Sequence, residues 1–209
     1  MLRVSIPLLC AALLLASAVV RAQSSAVRVT REPPVVTRTE VDPLHRRPDE
    51  PIFGPYESGV CNATFEIQTS VGYSVEIARQ SLRLHPTSIE VVTRLKLAIF
   101  TLAGGPPTLL AHEEAHRAIS EHYYDDAAAV ARKLGAALIG KSFAGTGRTR
   151  AAAEKNAFDK AVKGYNDAYF ERIRARAAAA NVRFDEITDH GRNTIAEADA
   201  MALALASDP

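Results

Sequence analysis

The sequence predicts an α+β fold: a small N-terminal antiparallel or mixed β-sheet, then a helix carrying two histidines, then two further helices. Three observations predict it. Apolar–polar alternation is confined to the first half of the chain, helical steps of three and four take over from Leu109, and no strand-like alternation returns afterwards. At 209 residues, 47% hydrophobic and 23% charged, the chain suits one globular domain with appendages. A formal charge of +1 gives no electrostatic reason to expect nucleic acid or an acidic membrane as partner. Two cysteines are too few for a disulfide scaffold.

Met1-Leu2-Arg3 supplies a short positive start, followed by an apolar run from Val4 to Val20 that only Ser5, Pro7 and Ser17 interrupt. With Val20-Arg21-Ala22 at its end, this reads as a cleavable signal peptide over residues 1–22, cut before Gln23. The run is shorter than the ~20 residues a membrane span needs, so no stable span is expected once it is removed. The chain is then expected outside the cytoplasm, secreted or periplasmic. Loss of Arg3 and Arg21 takes its formal charge to −1 and leaves Cys61 as the one thiol, expected to be buried and inert.

Residues 23–58 hold six prolines, at 33, 34, 43, 48, 51 and 55, with mixed charge and few bulky apolar residues. Such a stretch reads as a disordered tether or propeptide, because it cannot bury enough surface to offset its ordering entropy. The folded domain is therefore placed at residues 59–206. Ala63, Phe65, Ile67 and Thr69 alternate with polar neighbours as a half-buried strand does. Tyr73, Val75 and Ile77 either repeat that pattern after Gly72 or open a helix running to Leu84. Ile89, Val91, Thr93, Leu95, Leu97 and Ile99 form the longest strand signal in the chain.

Gly104-Gly105-Pro106-Pro107 ends that strand, and Thr108 is expected to cap a helix from about Leu109. His112, His116, Ile119, Tyr123, Ala127, Val130 and Leu134 fall on one helical stripe. A glycine-containing loop, Gly140 to Gly147, leads to a second long helix. Its buried stripe is Phe158, Val162, Tyr165, Tyr169 and Ile173, with Asn181 near its C-terminus. Val182 to Arg192 is expected to be irregular, and Thr194 with Glu197 to form the capping box of a last helix.

His112-Glu113-Glu114-Ala115-His116 matches the His-Glu-x-x-His pattern of zinc hydrolases. Residues i and i+4 project from one helix face, so two imidazole nitrogens can share one zinc ion at ~2.0–2.1 Å. Glu113 borders the same ion and is expected to act as general base, moving a proton from water to a leaving amine. Two ordinary helix histidines would show the same spacing. The early position in a helix that follows the best strand, with both rings on the core stripe, favours the metal.

A catalytic zinc needs a third protein ligand and an open position. His122 stands ten residues after His112, but in an unbroken helix it points about 80° away, and Ile119 resists the left-handed turn that would break the helix. Glu197 is an acidic candidate whose capping role explains it equally well. His190 lies in Phe184-Asp185-Glu186-Ile187-Thr188-Asp189-His190-Gly191, where Gly191 frees the backbone and Asp185 or Asp189 could hold the second ring nitrogen.

The His112–His116 pattern together with the downstream Phe184-to-Gly191 turn resembles a bacterial family of predicted secreted zinc-dependent proteases. That family pairs a His-Glu-x-x-His helix with an aromatic-Asp-x-x-Thr-x-His-Gly turn near the C-terminus. The likeness spans the region from the strand before the motif to Ala206. It departs at Phe184, where tyrosine is commoner, and at Ala115, where glycine is frequent. The resemblance implies a zincin-like fold, zinc as cofactor, and His112, His116 and His190 as ligands.

The expected function is a secreted or periplasmic zinc metallopeptidase acting on a peptide or protein substrate, with Tyr123, Tyr124 and Arg192 as candidate oxyanion donors. Two other readings compete: an exported metal-binding or interaction module that keeps the fold without turnover, and a zinc amidase acting on cell-wall substrates. Arginines 148, 150, 172, 174 and 176 read as solvated helix faces, not as a nucleic-acid site.

Overall fold

The computed structural model describes residues 26–53, 58–78 and 81–206; the expected leader, 1–22, lies outside the described residues. The elements in chain order are β1 (Val27–Arg31), β2 (Val35–Val41), β3 (Gly59–Ala78), β4 (Ser81–Leu102), α1 (Pro107–Asp125), α2 (Ala127–Leu138), β5 (Phe143–Gly145) and α3 (Arg150–Phe170). A π-helical turn (Glu171–Ala175), α4 (Arg176–Thr188) and α5 (Glu197–Ala206) complete them. The fold is α+β, as the order of patterns predicts, with a five-stranded mixed sheet.

β4 is the spine of that sheet. β3 runs antiparallel along one edge for its whole length. Along the other edge β5, β1 and β2 follow one another, pairing with Leu82–Leu84, Ile89–Thr93 and Lys96–Leu102 respectively. β5 is antiparallel to β4, while β1 and β2 are parallel to it.

The alternation read from Ile89 to Ile99 holds residue by residue, since Ile89, Val91, Thr93, Leu95, Leu97 and Ile99 are all buried. Leu82 and Leu84 reach the same face only through a register shift. Gly72 pairs with Ser88 and Tyr73 with Pro86, so Thr87 is the extra residue of a bulge. Tyr73 to Ile77 belongs to β3, and among the described residues from Tyr73 to Leu84 no helix forms.

The expected tether is overturned over residues 27–41, which form two strands of the sheet. The prolines punctuate these strands and do not dissolve them. Pro33 and Pro34 sit between β1 and β2, and Pro43, Pro48 and Pro51 follow β2. Their β-branched residues (Val27, Val29, Thr30, Val35, Val36, Thr37, Thr39, Val41) suit a pleated surface. Ion pairs pin them in place, with Arg94 on Glu32 at 2.8 Å and Arg31 on Asp125 at 2.5 Å.

The helices cover the buried face of the sheet. α1 packs on β3, β4, α4 and α5, and α2 lies over β1. The stripe expected on one helix is divided by a break at Asp126, so Tyr123 closes α1 while Ala127, Ala131, Gly135 and Leu138 are buried by α2. The first helix starts at Pro107, the position where proline's missing N–H costs nothing, and Thr108 does not cap it. α3, the π turn and α4 form one continuous run to Thr188. The irregular segment expected from Val182 is therefore helical for its first seven residues, and the helices after α1 exceed the two expected.

Candidate metal centre

His112 and His116 lie one turn apart on α1, the first 6% exposed and the second partly buried, with ring centres 4.8 Å apart. α4 crosses this face of α1 and presents Asn181, Phe184 and Asp185 to it. Phe184, fully buried, stacks on the His112 ring at 5.0 Å and meets the His116 ring edge-on at 4.9 Å. It is the apolar wall that holds both imidazoles upright, a position in which a substrate-binding hydroxyl would have no access.

Both Nε2 atoms point at one carboxylate oxygen. Asp185 Oδ1 lies 3.3 Å from His112 Nε2 and 3.0 Å from His116 Nε2. The remaining ring nitrogens turn outward to other partners. His116 Nδ1 is 2.8 Å from Asn181 Oδ1, and His112 Nδ1 is 3.5 Å from Glu197 Oε1. His112 Nδ1 and Glu197 Oε2 are buried without a hydrogen-bond partner.

These three groups fit a metal ion. Ligands at ~2.0–2.1 Å from a tetrahedral zinc stand roughly 3.3 Å from one another, close to the 3.3 and 3.0 Å that separate the two Nε2 atoms from Asp185 Oδ1. Imidazole nitrogens and a carboxylate oxygen also suit zinc chemically, and His116 has in Asn181 an outer partner of the kind that orients a ligand. The ligand atoms of His112, His116 and Asp185 all lie within 4.8 Å of one another.

His190, expected as third ligand, is not brought into that group. Its ring lines the same cleft, but the side chain is 68% exposed and Nδ1 is 3.7 Å from Asp185 Oδ1. The cause is the extension of α4. Asp185 stays on the helix one turn beyond Asn181, whereas Asp189 and His190 adopt left-handed conformations, φ 52° and 53°, past the helix end. Glu197 stands behind His112, outside the group as well. His122 turns away against Tyr123, with ring centres 5.3 Å apart.

Glu113 is 4% exposed and lines the cleft beside the histidines. The backbone at Gly59 leaves it room: a Cβ there would stand 2.7 Å from Glu113 Oε1. Burial pushes the Glu113 carboxyl above its ordinary pKa, against the opposing pull of His116 and His112. Burial alone would lower His116, but the hydrogen bond and charge of Asp185, with Asn181 and Glu113, raise it. Burial would raise Asp185, and the two histidines outweigh this and hold it well below the usual carboxylate range.

The cleft has a volume of about 720 Å³. The start of β3 (Gly59, Val60, Cys61) and the N-terminal turns of α1 (Thr108, Leu109) contribute to its walls, as does the turn after α4 (His190, Gly191, Arg192). Burial pushes the Cys61 thiol up to about 12. Of the expected oxyanion donors, Arg192 lines the cleft, whereas the Tyr124 hydroxyl donates to the carbonyls of Glu32 and Thr93 on the sheet. Tyr123 is buried and does not line the cleft.

The residues of this group that sequence reasoning missed are Asp185, which faces both Nε2 atoms, and Asn181, which meets His116 Nδ1. Their signal was present as an i, i+4 pair in phase with Phe184 and Thr188, had the helix been carried past Val182. Compared with known protein families, curated proteins and solved structures, the chain gives no match in any of the three.

Proposed function

We propose that the protein is a zinc-dependent hydrolase that cleaves peptide bonds, acting outside the cytoplasm. The observation that carries this reading is the convergence of His112 Nε2 and His116 Nε2 on one oxygen of Asp185, with Glu113 in the same cleft. His112, His116 and Asp185 would hold the ion. Zinc, when bound, supplies Lewis-acid polarisation of a carbonyl and lowers the pKa of a water molecule.

The chain's own residues supply the rest. Glu113 takes a proton from the attacking water and delivers it to the departing nitrogen, and its burial keeps its basicity close to that task. Asn181 orients His116 from behind, Glu197 places a carboxylate behind His112, and Phe184 excludes water from the apolar side of both rings. The start of β3 is an edge strand beside the cleft, a surface suited to an extended peptide. Among the described residues no helix is long and apolar enough to cross a membrane.

The test is metal content after gentle, chelator-free purification, beside turnover of a broad peptide library. About one zinc per chain is expected, lost in His112→Ala and in His116→Ala. A wild-type protein with no bound metal and no affinity for added zinc would sink the reading.

A further inference from the structure

On the reading that His112 and His116 hold a zinc ion, His190 is left without a place among the ligands, and the geometry points to another task. We propose that His190 donates a hydrogen bond to the carbonyl oxygen of the scissile bond as negative charge gathers on it, while Asp185 completes the metal site.

Asp185 sits on a helix with its oxygen at ligand spacing from both Nε2 atoms. His190 hangs from the turn beyond that helix, its ring exposed in the cleft wall and its Nδ1 3.7 Å from the same oxygen. A side chain that borders the metal-capable group yet faces the open cleft is placed to meet a substrate.

The turn that carries His190 is held firmly. Two successive non-glycine residues in the left-handed region are a conformation that side chains rarely adopt. It is pinned by His190 N–H on the Asp185 carbonyl at 2.9 Å and Asn193 N–H on the Thr188 carbonyl at 3.1 Å. Gly191, itself at φ 75°, lies flat against the His112 ring, where an added Cβ would come within 3.2 Å of Cγ and Nδ1. The backbone that carries His190 is thus fixed relative to the metal-capable group by its own neighbours in the chain.

Two other side-chain donors that line the cleft already have partners in the chain. The Arg192 guanidinium is turned to Asp189, with Nη2 2.7 Å from its carboxylate and Nε 2.9 Å from its carbonyl. Asn181 uses its amide on Ala177 and Ser120. In the hydrolysis, the water oxygen bonds to the carbonyl carbon and the C–N bond breaks. The proton taken by Glu113 ends on the departing nitrogen. His190 lends its N–H to the oxygen and keeps its proton throughout.

The experiment compares wild type, Asp185→Ala, His190→Ala and His190→Gln in three measurements: zinc affinity by chelator competition, binding of a phosphinic peptide at saturating zinc, and peptide turnover. The phosphinic group imitates the charged tetrahedral centre. Asp185→Ala should weaken zinc by about 100-fold or more. His190→Ala should keep zinc affinity within about threefold, weaken the phosphinic peptide at least about tenfold, and lower kcat by about 10²–10³ with little change in KM. His190→Gln keeps an N–H donor and should recover part of the loss.

Zinc loss in His190→Ala as large as in Asp185→Ala would return His190 to the metal and overturn the proposal. Unchanged phosphinic binding in zinc-loaded His190→Ala would overturn it too, as would a zinc-loaded wild type that binds no phosphinic peptide. A wild type without zinc affinity would bring down the underlying zinc reading instead.

Discussion

Asn181 uses its amide hydrogens on the Ala177 carbonyl at 2.9 Å and Ser120 Oγ at 3.3 Å, so its oxygen must accept from His116 Nδ1. That fixes the His116 tautomer and leaves Nε2 to face Asp185, either as a proton donor or as a metal ligand. Among the described residues two carboxylates line the cleft: Asp185 faces the ring nitrogens, and Glu113 is the base in the proposed reaction. Glu113→Gln keeps its size but removes the base. Zinc content should stay unchanged while turnover falls by about 10²–10⁴, measured at equal zinc occupancy. Equal activity in the two proteins would exclude Glu113 as the base. The His116–Asp185 pair also sets a pH dependence for the metal-free protein. Asp185, lowered on folding, stabilises above the ordinary carboxylate pKa and loses that effect as pH falls through its folded value. His116, raised on folding, stabilises below about 6.5 and loses that effect as pH rises through its folded value. The pair therefore contributes most between about pH 4 and 6.5. In chelator-treated protein, the Tm advantage of pH 5.5 over pH 8.5 should shrink in Asp185→Asn. An undiminished advantage would show that the pair is not its source.

At the scale of elements, the long strand and the paired histidines were legible because each rests on one local period. The buried set of β4 could be written down from the alternation alone. What was not legible rests on context. β1 and β2 are short, carry charge, and flank a proline pair, so their composition resembles a tether; only the free edge of β4 makes them strands. The end of α4 was misplaced because Asp185 and Thr188 are poor helix formers, and the burial of Phe184 against α1 and of Thr188 outweighs that preference. The longer helix brings Asp185 to the two histidines, where the sequence pattern pointed to His190 on a turn. The same correction changes where a protease should cut. Residues 27–41 have their backbone groups paired with β4, while the loop after β2 leaves Leu44 85% and Ile52 80% exposed. Limited proteolysis should open the chain between about residues 42 and 53 and leave 27–41 intact. Early cleavage within 27–41 would mean that the two strands are not held on the sheet.

For the whole molecule, β4 needs partners on both edges, and this decides what the smallest folding unit is. On one side β3 pairs with it along its length; on the other, β1 and β2 cover most of the backbone from Ile89 to Leu102. Val41 is buried, and Val27, Val29 and Val36 pack against the central core, each side chain contributing up to about 1.5–3 kcal/mol when fully buried. The same strands tie the helix layer to the sheet. Arg31 Nε donates to the Tyr124 carbonyl at 3.0 Å, and Arg38 forms an ion pair with Glu114 on α1 beside the metal-capable histidines. The Tyr124 hydroxyl in turn donates to the Glu32 carbonyl at 2.8 Å. Removing residues 1–41 would strip all of this and expose the edge of a long apolar strand. The combined loss is comparable with the roughly 5–15 kcal/mol by which a domain is usually stable. A chain starting at residue 26 should therefore unfold cooperatively in urea and bind zinc. A chain starting at residue 42 should show no cooperative transition and should aggregate or fail to hold the ion. The comparison is best made by circular dichroism with zinc titration on both chains. Cooperative unfolding and intact zinc affinity in the shorter chain would show that the helices and the β3–β4 hairpin suffice, and that the N-terminal strands are an accessory to the domain.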